Sequence, residues 1–165
     1  MKRLILPLAL AALLSACGDS SDVEIYNENN TTVMNGVVYN IDEKPINGVY
    51  KIYYSNGNVR MEIESKNGKP NGEGKFYNED GVLNYSAHFI DGVLDGAMLN
   101  YYPDGRVHNE LHYTDGKMEG AQKTFDEKGA LTVEAVFEKG KAVSGYTVID
   151  GKKVELIAEE LASLE

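Results

Sequence analysis

Residues 96–119 read GAMLNYYPDGRVHNELHYTDGKME, two runs of alternating apolar and polar residues, each closed by an Asp-Gly turn signal. Laid outward in register, residues 48–71 (GVYKIYYSNGNVRMEIESKNGKPN), 72–95 (GEGKFYNEDGVLNYSAHFIDGVLD) and 120–144 (GAQKTFDEKGALTVEAVFEKGKAVS) repeat the plan, the last with one extra residue before Gly145. Gly57, Gly81, Gly105 and Gly129 fall 24 residues apart. So do Gly68, Gly92, Gly116 and Gly140, and a third set, Gly48, Gly72, Gly96 and Gly120. A period held through four units makes this an array in which each unit touches only its neighbours. Such an array has no single deep centre, which excludes most enzyme architectures.

The turn residues set the strand pairing. Pro103 suits the second position of a type I turn, with Asp104 third and Gly105 in the left-handed place that a G1 bulge requires. A three-residue loop over 55–57 pairs Tyr53 with Val59. The same count pairs Tyr77 with Leu83, Tyr101 with Val107 and Phe125 with Leu131. A two-residue loop would instead set Tyr53 opposite Arg60, so the longer loop is the one that matches an aromatic with an aliphatic residue in every unit. Alternate positions of the second strand read Val59, Met61, Ile63, Ser65 and then Leu83, Tyr85, Ala87, Phe89, against Arg60, Glu62 and Glu64 on the other parity. Period two with one apolar face predicts half-buried antiparallel strands.

The predicted fold is all-β: an elongated single-layer antiparallel meander of repeated hairpins with a short C-terminal helix. At ~4.8 Å per strand each unit advances ~9.6 Å along the sheet. Residues 33–154 form the array, with 36–47 as a degenerate opening unit and 146–154 as a closing hairpin turning at Asp150-Gly151. Residues 155–165 are expected to form a helical cap with Ile157, Leu161 and Leu164 on one side, covering a last strand edge that would otherwise template aggregation.

The N-terminus carries a separate signal. Lys2 and Arg3 precede an apolar run from Leu4 to Leu14 and then Leu14-Ser15-Ala16-Cys17. A basic n-region, a short h-region and small residues before a cut read as a secretory signal over residues 1–16, too short to span a bilayer. The Leu-Ser-Ala-Cys string resembles the bacterial lipobox. That resemblance makes Cys17, the one cysteine, the lipidated first residue of the mature chain, followed by a polar tether over 17–32. Gly18 in second place resembles the outer-membrane-directed sorting pattern, on the periplasmic face of a Gram-negative envelope. A single thiol permits no internal disulfide. Removing Lys2 and Arg3 leaves 14 basic against 26 acidic residues, a net charge of −12. Such a surface repels phosphate backbones and anionic headgroups, so no nucleic acid is expected as a partner. The membrane contact is assigned to the anchor at Cys17 alone.

The pattern G-x-x-K-x-Y-Y-x-x-G-x-V-x-x-E followed by x-N-G-K-x-x-G resembles MORN repeats, and within them the bacterial YwqK-like variant often labelled an antitoxin component. Tyr53-Tyr54 and Tyr101-Tyr102 carry its double aromatic, whereas Tyr77 and Phe125 match at one place each. The resemblance spans about residues 36–151 and implies a scaffold or attachment surface. An exported, lipid-anchored chain cannot neutralise a cytoplasmic toxin, so the antitoxin label translates here into an immunity protein that occludes a secreted one.

No nucleophile elbow, phosphate loop or Cys/His cluster appears, and neither enzymatic activity nor a cofactor is expected. His88 and His112 share a column ~9.6 Å apart, too far for a common zinc, and no metal site is expected. Glu62, Glu110 and Glu134 share another column, read as a solvated carboxylate row. The aromatic residues Tyr53, Tyr77, Tyr101 and Phe125, joined by Phe89, Tyr113 and Phe137, are expected on one face. They serve either as a thin layer holding the sheet together or as an open strip that binds protein or glycan. The functional expectation is a non-catalytic interaction scaffold for an unknown protein partner in the cell envelope, with an envelope-anchored immunity protein as the alternative.

Overall fold

In the computed structural model, which describes residues 25–27 and 29–164, both turn signals of every unit close hairpins. Cys17 and the expected signal segment lie outside the described residues. The strands are β1 (Ile25–Asn27), β2 (Thr31–Met34), β3 (Val37–Asn40), β4 (Gly48–Tyr53), β5 (Val59–Lys66), β6 (Lys69–Tyr77) and β7 (Leu83–Ile90). They continue as β8 (Val93–Tyr101), β9 (Val107–Thr114), β10 (Lys117–Met118), β11 (Gly120–Phe125), β12 (Leu131–Glu138), β13 (Lys141–Ile149) and β14 (Lys152–Glu155), followed by helix α1 (Ala158–Ala162). One 12-stranded sheet runs in the order β1-β4-β5-β6-β7-β8-β9-β11-β12-β13-β14, with β10 also on β9. From β4 onward it is the expected antiparallel meander. At its N-terminal end the sheet is mixed, because Ile25–Asn27, within the stretch read as tether, pair in parallel with Val49–Lys51. β2 and β3 form a separate hairpin.

Two turn chemistries alternate along the chain. At one rim Gly57, Gly81, Gly105 and Gly129 take φ of 90, 81, 85 and 82°, and each donates its N–H three residues back, as Gly105 does to the Tyr102 carbonyl at 2.9 Å. At the other rim the loops have two residues, both at positive φ: Asn67-Gly68, Asp91-Gly92, Asp115-Gly116 and Lys139-Gly140. That is the type I′ arrangement whose twist suits hairpins. The pairings of Tyr53 with Val59, Tyr77 with Leu83, Tyr101 with Val107 and Phe125 with Leu131 are all present.

Units are bolted together at both rims. On the type I′ side, Gly68, Gly92, Gly116 and Gly140 donate their N–H to the carbonyls of Ile46, Pro70, Leu94 and Met118, the same step each time, at 2.8–2.9 Å. Polar residues just before the third glycine set brace the next turn. Asn47 Oδ1 accepts from Asn67 N–H at 2.9 Å, Asp95 Oδ2 from Asp115 N–H at 3.1 Å, and Glu119 Oε2 from Lys139 N–H at 2.8 Å. The third glycines themselves admit a bulge. Between Ile63↔Gly74 and Ser65↔Pro70, three residues of β6 face one of β5, and β8 repeats this against His88.

On the opposite rim the second aromatic of each double pair is the bolt. Tyr54 donates its hydroxyl to the Tyr77 carbonyl at 2.7 Å, and Tyr102 does the same to the Phe125 carbonyl at 2.8 Å. Where the tyrosine is replaced by Asn78 or Asp126, the shorter side chain turns back and accepts from its own loop's amides instead. The clamps therefore join units one to two and three to four. Tyr54→Phe deletes one bond of a partly buried pair and is expected to cost about 1 kcal/mol. Tyr102→Phe should cost the same, and the two should add in urea unfolding because they share no partner.

One expectation fails because of a second bulge. Ile52 pairs with Met61 but Tyr53 with Val59, so Arg60 is an extra residue that inverts the parity of everything beyond it. Asn84, His108 and Thr132 repeat the insertion in the other units. Val59 and Met61 therefore lie on opposite faces. Tyr53, Tyr77, Tyr101 and Phe125 point to one side of the sheet, and Phe89, Tyr113 and Phe137 to the other.

The second side is the better covered. Ile63, Ala87, Ala135 and Phe137 on it are buried, the last two at 1% exposure, and Phe76 stacks on Tyr85 with ring centroids 4.2 Å apart. Full burial of a phenylalanine such as Phe137 is worth ~1.5–3 kcal/mol. The C-terminal end also departs from expectation. α1 contacts β13 rather than the outer edge of β14, and Ile157 is its exposed N-cap residue. Leu156, Leu161 and Leu164 are the half-buried residues of the tail, since Leu156 N–H still pairs with the Gly145 carbonyl and fixes where the chain leaves the sheet.

Candidate interaction surface

On the face carrying Tyr53, the pairing register lines up two parallel rows. The first alternates aromatic and aliphatic side chains, Tyr53 with Val59, Tyr77 with Leu83, Tyr101 with Val107 and Phe125 with Leu131. All eight are half-buried. They are thus neither sealed in a core nor fully solvated, the condition of an apolar strip on a one-layer sheet. Tyr101 anchors the row from beneath through its hydroxyl, 3.2 Å from Ser86 Oγ.

The second row corrects the expected carboxylate column. Strands from the other half of each hairpin insert lysines between the glutamates: Lys51 faces Glu62, which faces Lys75, and further on Glu110 faces Lys123, which faces Glu134. Lys51 Nζ lies 2.9 Å from Glu62 Oε2, and Lys75 Nζ 2.9 Å from Glu73 Oε2 along its own strand. Half-exposed pairs of this kind contribute roughly 0–1 kcal/mol each. Their larger effect is on charge, because the row is nearly neutral where a bare carboxylate column would repel. The Lys51 ammonium is held above its ordinary pKa, first by its hydrogen bond to Glu62. Desolvation, and then the Glu62 charge, push the Tyr77 phenol up as well. The two rows are therefore electrostatically in contact. At the C-terminal end Tyr146 takes over, donating to Glu134 Oε2 at 3.1 Å while Lys153 Nζ sits 3.8 Å over its ring.

The remaining candidates are dispersed. Phe89 and Tyr113 are half-buried on the other face, and Phe137 is sealed there. His88 donates from Nδ1 to the Asp95 carbonyl at 2.7 Å, while His112 lies 3.4 Å from the Ala121 carbonyl and 3.9 Å from Glu110. Each histidine is engaged with its own bulge or strand, and the structure does not bring the two together. The eight turn glycines all lie at positive φ in their loops. The clamping role of Tyr54 and Tyr102, quoted above only as half of a double aromatic, and the interleaved lysines escaped sequence reading. The repeat of the double tyrosine at 48 residues was the available signal for the clamps, and cross-strand pairing, invisible in one strand, was the signal for the lysines. Among the described residues no helix is long and apolar enough to cross a membrane.

Comparison with known proteins finds a likeness for part of this lattice. The family model described as MORN repeat variant matches residues 46–67, 70–91 and 94–115. No curated protein matches the chain. Among solved structures, a crystal structure of a mutant of S. aureus TarM, in complex with Fondaparinux, alpha-GlcNAc-glycerol and UDP, aligns at 14% identity. That alignment covers 76% of this chain and 21% of that one with a TM-score of 0.28, too low for any conclusion. The matched segments end before residue 120, yet the hairpin of β11 and β12 reproduces the turn, pairing and bulge of the three matched units. The chain carries three consecutive MORN-variant repeats, continued by a fourth hairpin of the same geometry.

Proposed function

We propose that this protein is a cell-envelope lipoprotein whose repeat sheet is a non-catalytic protein-interaction scaffold, docking its partner across the row of Tyr53, Tyr77, Tyr101 and Phe125. MORN repeats support the coarser part, a repeat-based interaction module. The observation that carries the finer part is the half-exposed aromatic–aliphatic row beside a charge-balanced ladder. Rigid aromatic rings at the centre of a patch with a polar flank are the composition from which binding energy is drawn. Anchoring rests on the lipobox resemblance at Cys17. Cys17→Ser should move the protein from the membrane fraction to the soluble one; retention in the membrane would refute the anchor. Tyr53→Ser combined with Tyr101→Ser should abolish capture of the partner from membranes while circular dichroism stays β-rich, and undiminished capture would refute the docking row.

A second reading, an envelope-anchored immunity protein that blocks a secreted toxin, draws on the net charge of −12 left after signal removal, which suits a basic partner. Deleting the gene should then sensitise cells to that toxin, and unchanged sensitivity removes this reading.

A further inference from the structure

The face opposite the docking row holds a pocket of about 380 Å³ between the first and second units, and the bulge column shapes it. Its floor is apolar and aromatic, from Ile52, Met61 and the stacked pair Phe76 and Tyr85. Arg60 and Asn84, both of them inserted bulge residues, bring polar groups to it, and Tyr54, hydrogen-bonded to the Tyr77 carbonyl, completes the lining together with Tyr77 of the docking row. Bulges re-aim side chains, and here one sends a guanidinium to the apolar face.

Arg60 is unusual in two respects. The described residues contain two arginines, and Arg106 is paired with Asp104 while Arg60 has no carboxylate among the described residues within 4.0 Å. The Tyr54 ring centroid lies 5.9 Å from its guanidinium carbon. In a chain of net charge −10 an arginine left without an acid, over aromatic walls, is a vacant anion partner. The repeat lattice does not require it either. One unit on, the equivalents of Ile52, Met61 and Arg60 become Phe76, Tyr85 and Asn84. Two units on they become Asn100, Asn109 and His108, with His108 packed on Tyr102. The pocket is where the array breaks its own period.

We propose that this pocket receives the C-terminal residue of a partner polypeptide, its free carboxylate forked onto Arg60 and an aromatic or large aliphatic side chain seated against Phe76 and Tyr85. This site goes beyond the docking row and lies on the other face. A terminal residue fits because it carries a carboxylate and a side chain on one Cα. An internal segment does not, because both edges of β5, β6 and β7 are already paired and offer no main-chain hydrogen bonds to an added strand.

The test uses an N-terminally fluorescein-labelled Gly-Gly-Phe tripeptide as the free acid, its C-terminal amide, and an amidated Gly-Glu-Phe-Gly control, each titrated by polarisation against the soluble Cys17→Ser protein. The acid is expected to bind at least ~10-fold more tightly than the amide and the internal-glutamate control, a gap of about 1.4 kcal/mol. Arg60→Gln, at an exposed bulge position, should erase that preference without altering the thermal midpoint, and Arg60→Lys should restore part of it. Equal binding of acid and amide, no binding of the acid, or a preference that survives Arg60→Gln would each overturn the inference. None of those outcomes touches the docking row, which is read separately from the Tyr53 and Tyr101 variants.

Discussion

Gly68→Ala should destabilise the array by about 3 kcal/mol and detach its N-terminal end. Gly68 takes φ of 74°, and an alanine held in the left-handed region costs ~1–2 kcal/mol. Space is the larger problem. A Cβ there would fall 2.5 Å from both Val37 Cγ1 and the Val38 carbonyl oxygen, because the β2–β3 hairpin is hung on this turn. Gly68 donates to the Ile46 carbonyl and accepts from Val38 N–H, each at 2.8 Å, and Ile46 is fully buried at the same junction. Relieving such overlap costs a further ~1–3 kcal/mol. Gly92 is the control: it has the same turn and φ of 88°, but its nearest neighbours are 4.0 Å from a Cβ. Gly92→Ala should therefore show the strain alone. Hydrogen exchange should find Val38 and Gly68 amides unprotected in the first variant, with β8 and β9 unchanged, as expected of a chain stabilised unit by unit. Equal urea midpoints for the two variants would contradict this.

Gly145→Ala should loosen the other end by about 2–3 kcal/mol, and for space alone. Gly145 pairs with Ala135 in β12, and a Cβ would lie 2.8 Å from the Glu134 carbonyl oxygen and 3.0 Å from Ala135 Cα. Those are backbone atoms of a strand held on both sides, so β13 must move. It takes with it the pairing to β14, the Leu156 bond to Gly145 and the pairing of Ala142 with Phe137. The expected signature is fast exchange of β13 and β14 amides together with a lower thermal midpoint. Wild-type protection at Tyr146 and Thr147 would show that the strands do not approach as closely as described.

These two glycines also show how much could be read without coordinates. The period, the three-residue turns at Gly57 and its equivalents, and the four cross-strand pairs from Tyr53↔Val59 to Phe125↔Leu131 were legible, because left-handed glycines constrain the backbone locally; the two-residue form of the turns at Gly68 and its equivalents was not. The division of the aromatic residues between faces was not. It depends on one inserted residue per unit, Arg60 and its equivalents, and nothing in a polar residue's identity marks it as a bulge. Gly145 lay outside the 24-residue columns, so its role as a packing gap emerged only from the contact with Ala135. The lysine–glutamate ladder was half visible: the glutamates share one strand position, while their partners belong to the neighbouring strand.

Photo-crosslinking from the two faces tests the interaction surface most directly. Benzoylphenylalanine would be placed at position 53 or 101 on one face and at 89 or 113 on the other, in the lipidated protein in intact cells. The expected result is a common adduct from both 53 and 101 and none from 89 or 113. Adducts confined to 89 and 113, or absent from every position while the protein sits folded in the envelope, would contradict a scaffold that docks its partner across the Tyr53 row.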